Sequence, residues 1–352
     1  MSGENAARSL RVLLLGFGHV GRRLLEILGP ERKRHTGLAS LRISWVGVAT
    51  KNHGSVVDPA GIDPAALLDH WGRHRSLYGL PGGTATCRSE ELARDLDYDV
   101  LVDLTPLSIA GRGEPAATYL RTALRRGAAC VTANKGPIAF HYPELVTLAG
   151  PRGHRLRFEA TVLDGTPVFS LVREGLRGCR ILRVQGVLNS TVNLLLDTVH
   201  RGAPAAEGLR EAQRAGIAEA DPEMDLAGWD AAAKLSILAQ VLAGAAVTPA
   251  DVQREPLSLQ QLDLLPSPGP DRTWRYVAEF SDEESGCASV RLLALPREHP
   301  LAAVSGTSGA LVLHTDLTSP VIIRQDSPTL TDTAYGVIRD LLELASSPRS
   351  RV

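Results

Sequence analysis

The fold is decided by the stretch Leu10–Gly21, which reads Leu-Arg-Val-Leu-Leu-Leu-Gly-Phe-Gly-His-Val-Gly. Its apolar run predicts a buried parallel strand that ends at a glycine turn. Gly16 permits the tight turn, Gly18 lets backbone approach a pyrophosphate, and Gly21 lets the next helix pack closely on the sheet. That helix offers free N–H groups to phosphates at its N-terminus. The pattern predicts that a dinucleotide binds at Gly16, Phe17, Gly18, His19, Val20 and Gly21.

Strands and helices alternate outward from this loop through the first part of the chain. The predicted elements are a helix at Gly18–Leu28, a strand at Leu41–Ala49, a helix at Asp63–Trp71, a strand at Val100–Leu104, a helix at Pro115–Arg126 and a strand at Ala129–Ala133. Such alternation is typical of an α/β protein with a doubly wound parallel sheet. We therefore predict a Rossmann-type dinucleotide-binding domain over residues 1–150.

The pattern changes near residue 151, where strand-like pieces mix with longer helices. The predicted elements are strands at Leu156–Leu163 and Ile181–Leu188, helices at Val192–His200, Ala206–Ala215 and Leu226–Leu242, and a loop at Gln260–Asp271. We predict a second, α+β domain over residues 151–325. The amphipathic stretch Thr331–Ala345 predicts a C-terminal helix, within residues 326–345, that returns to the first domain.

The composition restricts the kind of ligand and the compartment. The formal net charge of −1 does not suggest the basic surface that nucleic acid demands, and it suits a small polar ligand better. The four cysteines form no Cys-x-x-Cys pair, which argues against a disulfide framework or zinc ribbon and favours a reducing cytoplasm. No stretch approaches the roughly 20 apolar residues of a membrane span. We therefore expect a cytoplasmic protein that binds neither nucleic acid nor membrane.

The end of the second strand bears on the choice between NAD and NADP. An acidic residue there would hold the ribose hydroxyls of NAD, but the sequence is Val48-Ala49-Thr50-Lys51. Thr50 and Lys51 could instead contact a 2′-phosphate, which favours NADP. The alternative is that Lys51 is simply solvated.

Two later strands end at residues that we expect to face the ligand. Thr105-Pro106 follows the strand at Val100–Leu104, and Asn134-Lys135-Gly136-Pro137 follows the strand at Ala129–Ala133. Ligands of such sheets bind beyond the carboxyl ends of the strands. Thr105, Pro106 and Lys135 are therefore predicted cofactor contacts, although a lysine in a loop is more often a plain surface charge.

The densest group of charged residues lies in the stretch Gly216–Lys234. Asp230 and Lys234 are four residues apart and therefore neighbours on one helical face. A capped surface helix with one salt bridge is the simplest interpretation. However, the helix continues as Leu-Ser-Ile-Leu-Ala-Gln-Val-Leu, which implies burial, and a buried lysine–aspartate pair calls for a reason. A functional site is the better hypothesis.

Taken together, these segments resemble the homoserine dehydrogenase family over nearly the whole chain. The resemblance is carried by the glycine loop at Gly16–Gly21, by Thr132–Pro137, by Glu159-Ala160-Thr161-Val162, by Asn189-Ser190-Thr191-Val192-Asn193, by the long stretch Ala212–Leu235, and by Leu301–Leu342. It implies a homodimer, built from a nucleotide-binding domain and a combined dimerisation and catalytic domain. It also implies interconversion of aspartate semialdehyde and homoserine with NAD(P)(H). We expect a short form of the family, without a regulatory domain after Leu301–Leu342.

The resemblance further implies roles for individual residues. Lys234 matches the catalytic lysine that handles the proton of the substrate oxygen, and Lys135 matches a second lysine near substrate and nicotinamide. Glu219 and Asp230 match substrate-binding acids, and Asp225 matches an aspartate that helps to order the site. Asp225 and Thr191 are counted with the substrate-binding residues, and Asp230 and Lys135 with Lys234 as catalytic residues. A monovalent cation, Na⁺ or K⁺, would match Glu159 together with carbonyls around Val162, Asp164 and Thr166.

Several positions depart from the family pattern, and they leave the identity of the substrate undetermined. Ser190 stands where glycine is usual, Ile217 replaces an aromatic residue, the glycine-rich stretch after Val162 reads Leu163-Asp164-Gly165, and 326–329 replaces Gly-Ala-Gly. A side chain added where backbone approaches a ligand reshapes a pocket. Two alternatives follow: a dehydrogenase of the same fold for a different 2-amino acid alcohol or semialdehyde, or a dinucleotide-binding homologue without turnover.

Overall fold

The computed structural model describes residues 9–86, 88–214, 218, 222–282 and 286–346. The chain divides into two compact units, Met1–Gly165 with Thr329–Val352, and Thr166–Pro328. The first limit lies 15 residues after the predicted boundary at 150, because the strand and helical turn that follow residue 150 belong to the first unit. The second limit lies three residues after the predicted boundary at 325.

The first unit contains a seven-stranded sheet with the order β4-β3-β2-β1-β5-β6-β7. Its strands are β1 Ser9–Leu15, β2 Arg42–Ala49, β3 Ser55–Ile62, β4 Gly83–Thr84, β5 Val100–Asp103, β6 Ala129–Thr132 and β7 Leu156–Arg157. From β2 through β7 neighbouring strands are parallel, whereas β3 and β4 extend the β2 edge antiparallel. The Rossmann-type architecture is therefore confirmed, and the antiparallel edge is an addition that the sequence pattern did not predict.

Helices separate most of these strands, as predicted. They are α1 His19–Leu28, α2 Pro64–His74, α3 Ser89–Asp95, α4 Ala116–Arg125 and α5 Lys135–Leu148, with short 3₁₀ turns at Arg32–Arg34, Thr36–Leu38, Pro151–Gly153 and Glu159–Thr161. The side chain of Asp63 caps α2 by accepting from the N–H groups of Ala65 and Ala66, and Pro64 occupies the first helical position.

The carboxyl ends of the parallel strands meet at one edge of the sheet. Leu15 at the end of β1 is opposite Ala49 of β2 and Asp103 of β5, and Asp103 is in turn opposite Thr132 of β6. The residues that follow these strands are therefore neighbours. This register assembles the predicted cofactor loops from four separate parts of the first unit.

The second unit contains a six-stranded sheet with the order β13-β12-β8-β10-β11-β9. Its strands are β8 Ile181–Val187, β9 Gln253–Arg254, β10 Arg272–Ser281, β11 Cys287–Pro296, β12 Gly309–Thr315 and β13 Val321–Gln325. Its helices are α6 Val168–Ser170, α7 Ser190–His200, α8 Ala205–Arg214, α9 Glu223–Leu226, α10 Trp229–Ala243 and α11 Leu259–Asp263, with a π-helical turn at Leu171–Gly175. All pairings are antiparallel except that of β9 with β11.

The last helix, α12 Leu330–Ser346, completes the first unit. Its apolar face is buried in the main core of that unit through Ala334, Val337, Ile338 and Leu341. The amphipathic spacing of these residues predicted the helix.

Three predicted elements are wrong in part. The strand expected at Leu156–Leu163 ends at Arg157 and gives way to a helical turn, where the Asp340 carboxylate accepts from the backbone N–H of Glu159. The helix expected at Leu226–Leu242 is split by Gly228, whose φ of +76° breaks it. The loop expected at Gln260–Asp271 begins with α11 instead.

Candidate active site

The three glycines of the first loop have distinct structural roles. Gly16 has a φ of +95°, and a Cβ there would lie 2.5 Å from the carbonyl carbon of Leu104. A Cβ on Gly21 would lie 2.6 Å from the carbonyl oxygen of Gly16, so both positions require glycine for packing. Gly18 precedes α1 with φ −76°, and a Cβ there would meet nothing within 4 Å. The open surface beside the helix N-terminus is thus at Gly18, where a phosphate can approach.

The side chains between these glycines are placed differently from one another. Phe17 is buried and packs edge-on against the ring of Trp71, with ring centroids 5.2 Å apart. Its predicted contact with the cofactor is therefore limited to its backbone. His19 is exposed and Val20 is half-buried at the start of α1.

The turn after β2 uses Thr50 internally. The Thr50 hydroxyl donates to the carbonyl of Gly54 over 3.0 Å and accepts from the N–H of His53 over 2.8 Å. Lys51 is exposed, and residues 50–54 contain no carboxylate. The turn therefore lacks the acid that would hold ribose hydroxyls, while Thr50 shapes the turn.

A buried polar network, which the sequence interpretation missed, joins the ends of β5 and β6. One Asp103 oxygen accepts from the N–H and hydroxyl of Thr105 over 3.0 and 2.6 Å, and the other accepts from the Thr132 hydroxyl over 2.9 Å. Burial raises the pKa of Asp103 to about 6, although the hydrogen bonds from Thr105 and Thr132 act in the opposite direction. The sequence did contain a signal for this network, because Asp103 is an aspartate at the end of a buried apolar strand.

Asn134 extends this network to the predicted cofactor residues. Its Nδ2 donates to the Thr105 hydroxyl and the Pro106 carbonyl over 3.1 and 3.2 Å, and its Oδ1 accepts from the N–H of Gly136 over 2.9 Å. Asn134 thereby caps α5, whose first residue is the half-buried Lys135. The structure thus brings Thr105, Pro106 and Lys135 together at the sheet edge.

The network gives a stability prediction for Asp103. Because its pKa rises from 3.8 in the unfolded chain to about 6 in the fold, the native state holds the proton more tightly. The free energy of unfolding should then fall by about 3 kcal/mol as the pH rises from about 4 to about 6. Asp103→Asn should remove this contribution from urea titrations at several pH values and leave the fall that the buried Asp340, whose pKa is raised to about 8, contributes over the same range. The exposed Asp97→Asn should retain the full pH dependence. An unchanged slope in Asp103→Asn would show that the buried carboxyl does not titrate in this range.

In the second unit, two aspartates, a lysine and an asparagine form a compact cluster. Lys234 Nζ lies 2.9 Å from Asp230 Oδ2 and donates to the carbonyl of Leu188 over 2.6 Å. Asn189 Nδ2 donates to Asp225 Oδ1 over 2.7 Å and to Asp230 Oδ2 over 3.4 Å. The predicted i,i+4 pair is confirmed as a partly buried ion pair, with side-chain exposures of 16% for Lys234 and 17% for Asp230.

The cluster concentrates negative charge beside the lysine. Burial raises the pKa of Asp225, the charge of Asp230 raises it further, and hydrogen bonds from Asn189 and Thr191 lower it. Thr191 is buried at the start of α7, and its side chain forms a hydrogen bond with Asp225. The contribution to substrate binding that was predicted for Thr191 is therefore indirect, through Asp225. Two carboxylates around one ammonium group leave an excess of negative charge that suits a cationic ligand group.

The remaining predicted residues of the second unit divide into two groups. Glu219 and Ile217 lie outside the described residues. Ser190, which replaces the usual glycine, donates its hydroxyl to the Thr307 carbonyl over 3.1 Å. Asn193 and Asp197 lie on the same side of α7 and form hydrogen bonds with the backbone of Gly306. The Ser190 hydroxyl therefore adds one more hydrogen bond between α7 and the backbone of residues 306–307.

Two of the predicted cation ligands, Glu159 and Asp164, already have side-chain partners in the protein. Glu159 is buried and forms an ion pair with Arg339, with 3.5 Å between Oε2 and Nη1. Asp164, with a φ of +47°, accepts from the Thr333 hydroxyl, and Val162 is buried. Thr166 is half-buried in the other unit. No group of three or more histidine, cysteine or acidic residues suited to a metal ion occurs among the described residues.

The two units together define a class of protein. A chain that combines a Rossmann-type sheet carrying a glycine loop with an α+β unit that holds an ion-paired lysine has the architecture of a two-domain dinucleotide-dependent dehydrogenase.

Comparisons with known proteins identify the family. A family model described as homoserine dehydrogenase matches residues 167–342, and one described as homoserine dehydrogenase, NAD binding domain, matches residues 16–159. The chain belongs to the homoserine dehydrogenase family.

Individual relatives match nearly the full length. The chain is 32% identical over 340 residues to an NAD(+)-dependent homoserine dehydrogenase of Pseudomonas canavaninivorans, with 96% of each chain covered. It is similar to the crystal structure of a putative homoserine dehydrogenase from Archaeoglobus fulgidus, with a TM-score of 0.81, 30% identity, and 96% and 100% of the two chains covered. A hyperthermophilic archaeal homoserine dehydrogenase solved with NADPH has a TM-score of 0.81 and 27% identity, with 98% of this chain and all of that chain covered.

Within the part of the chain that the structure describes, no helix combines the length and apolarity needed to cross a bilayer.

Proposed function

We propose that the protein is an NAD(P)-dependent oxidoreductase that interconverts homoserine and aspartate 4-semialdehyde. The observation that carries this proposal is the position of Lys234, held between the Asp230 carboxylate and the Leu188 carbonyl beside Asp225. A partly buried lysine held in one position is able to exchange a proton with a substrate oxygen, and the surrounding carboxylates suit the ammonium group of an amino acid.

The residues divide the chemistry between them. The Lys234 ammonium group first releases its proton to water, and the neutral amine then takes the hydroxyl proton when the alcohol is oxidised. In the reverse direction the ammonium group donates its proton to the aldehyde oxygen. Asp230 fixes the position of Nζ, and Asp225 with Glu219 holds the substrate ammonium group. Lys135 attracts the substrate carboxylate. The nicotinamide, when bound, supplies the hydride chemistry at carbon.

Among the two cofactors, we favour NADP. Residues 50–54 contain no carboxylate for the ribose hydroxyls of NAD, and Lys51 is exposed there. The Gly16–Gly21 loop and the start of α1 serve the pyrophosphate of either dinucleotide, because backbone N–H groups at a helix N-terminus are indifferent to the ribose.

A monovalent cation fits this arrangement poorly. The Arg339 guanidinium already neutralises Glu159, and a second positive charge beside it is unfavourable. We therefore assign no catalytic step to Na⁺ or K⁺. If a cation is required after all, replacing both ions by tetramethylammonium at constant ionic strength will abolish turnover.

We further propose a cytoplasmic homodimer. Cys130, Cys179 and Cys287 are free thiols, which favours a reducing compartment. The edge strand β13 exposes Ile322, and the turn before it exposes Leu317, which leaves apolar surface for a second copy. Sedimentation equilibrium distinguishes the dimer from a monomer.

The function is tested by following NAD(P)⁺ reduction with L-homoserine beside a panel of related 2-amino acid alcohols. We expect turnover with homoserine to exceed that with the other compounds. Preference for another alcohol would assign the chain to a different substrate, and cofactor binding without turnover of any compound would contradict the enzymatic proposal.

A further inference from the structure

A short turn in the second unit connects the two aspartates of the lysine cluster. Asp225 belongs to α9 and Asp230 to α10, and the φ of +76° at Gly228 breaks the helix between them. We call residues 226–229 the inter-aspartate turn. Because the helix is not continuous here, the relative position of the two carboxylates depends on what holds this turn.

Arg254, the last residue of β9, contacts the inter-aspartate turn in two ways. Its Nη1 donates to the carbonyl of Ala227 over 3.1 Å, at the end of α9, where helical carbonyls lack donors within their own helix. Its guanidinium carbon also lies 3.4 Å from the ring centroid of Trp229, the first residue of α10. One side chain therefore holds both sides of the break, and Trp229 directly precedes Asp230.

The inter-aspartate turn is also fixed to the sheet of the second unit. The N–H of Leu257 donates to the carbonyl of Leu226 over 2.8 Å. A Cβ on Gly228 would lie 2.4 Å from the hydroxyl oxygen of Tyr276 in β10, so the turn packs closely against this strand. Arg254 is anchored in β9, which pairs with β11. The turn and the side chain that binds it are thus attached to the same sheet.

The charge of Arg254 is not matched by a carboxylate. In the ranges that the structure describes, Arg254 forms no ion pair, and its buried Nε has no hydrogen-bond partner. Burial lowers the pKa of the guanidinium, and Tyr276 opposes this effect. Desolvating a charge without an ion partner costs free energy, which an apolar side chain packed on the indole would avoid. The guanidinium is better explained by the position that it gives the turn.

The position of the turn determines the surroundings of Lys234. Asp230 Oδ2 lies 2.9 Å from Lys234 Nζ, and Asn189 Nδ2 joins the carboxylates of Asp225 and Asp230. A misplacement of about 1 Å can lower a reaction rate by about a hundredfold. A lysine that is less closely paired with a carboxylate also releases its proton at lower pH. Movement of the turn would therefore change both the rate of proton transfer and its pH dependence.

We propose that Arg254 is a positioning residue, which holds the inter-aspartate turn and, through it, the carboxylates beside Lys234. This inference rests on the proposed function and adds a residue that acts on proton transfer through Asp230.

The test is the rate of hydride transfer in the full-length protein, measured by stopped flow at saturating homoserine and dinucleotide over a series of pH values. Arg254→Met keeps the apolar part of the side chain and removes the charge and the donors. We expect its maximal rate to fall by about tenfold or more, and the pH of half-maximal rate to move down. Arg254→Lys, which retains a cation over the indole and one donor, should recover part of the rate.

The matched control is Arg272→Met. Arg272 lies in β10 of the same sheet and also donates to a backbone carbonyl, that of Ala294. We expect its rate and pH dependence to equal those of the unaltered protein. Thermal unfolding of each variant measures the folded fraction, to which every rate is referred. If Arg254→Met does not fold, Arg254→Gln, which keeps a donor for the Ala227 carbonyl and removes the charge, is judged by the same criteria.

The outcomes separate this inference from the proposed function. An unchanged maximal rate in Arg254→Met, or a lower rate with an unchanged pH dependence, would overturn the positioning role and leave the dehydrogenase intact. Absence of turnover by the unaltered protein with homoserine and with every related 2-amino acid alcohol would overturn the proposed function instead.

Discussion

Lys234→Ala is expected to lower kcat by about a hundredfold or more, because general acid–base groups contribute on that scale. The dinucleotide Kd should remain within about twofold, since Lys234 belongs to α10 of the second unit, whereas the glycine loop belongs to the first. Stopped-flow measurement of nicotinamide reduction gives the chemical step, and fluorescence titration gives the cofactor affinity. Lys33→Ala, at an exposed lysine, is the matched control.

Removal of the ammonium group also leaves Asp225 and Asp230 without their common cation, so the single variant could lose stability as well as activity. The double variant Lys234→Met with Asp230→Asn removes both charges of the ion pair and guards against this. If that double variant is folded and inactive, loss of the fold does not explain the inactivity of Lys234→Ala. Retention of the hydride-transfer rate in either variant would refute the role of Lys234.

The sequence predicted the parts of the site that depend on local periodicity. The glycine loop, the strand ends at Thr105 and Lys135, and the i,i+4 spacing of Asp230 and Lys234 all follow from neighbouring residues. The parallel sheet was predictable for the same reason, since each buried strand is a short apolar run bounded by turn residues.

Contacts between residues distant in sequence could not be predicted in this way. Asp103 binds Thr132 from another strand, and Lys234 donates to the carbonyl of Leu188. The Arg22–Trp71 contact likewise joins two helices. One missed element did have a local signal, because Ser258 and Gln261 form a capping pair at the start of α11.

The glycine loop yields a matched pair of variants that separates folding from cofactor binding. Gly16→Ala places a Cβ against the Leu104 backbone at a φ of +95°, which no side-chain movement relieves. We expect a loss of unfolding free energy on the order of 3 kcal/mol, from left-handed strain and steric overlap together. Denaturant unfolding followed by circular dichroism measures this loss, and cofactor affinity falls with it.

Gly18→Ala should behave in the opposite way. Its φ of −76° suits alanine, and the added Cβ meets nothing within 4 Å of the protein, so stability should change by less than about 0.5 kcal/mol. The dinucleotide affinity should nevertheless fall about tenfold or more, because the methyl group occupies the open surface at the N-terminus of α1 where the pyrophosphate approaches. If Gly18→Ala binds both dinucleotides normally, the phosphates do not approach the backbone at this residue. Loss of stability without loss of specific affinity would likewise show that Gly18, like Gly16, serves the fold alone.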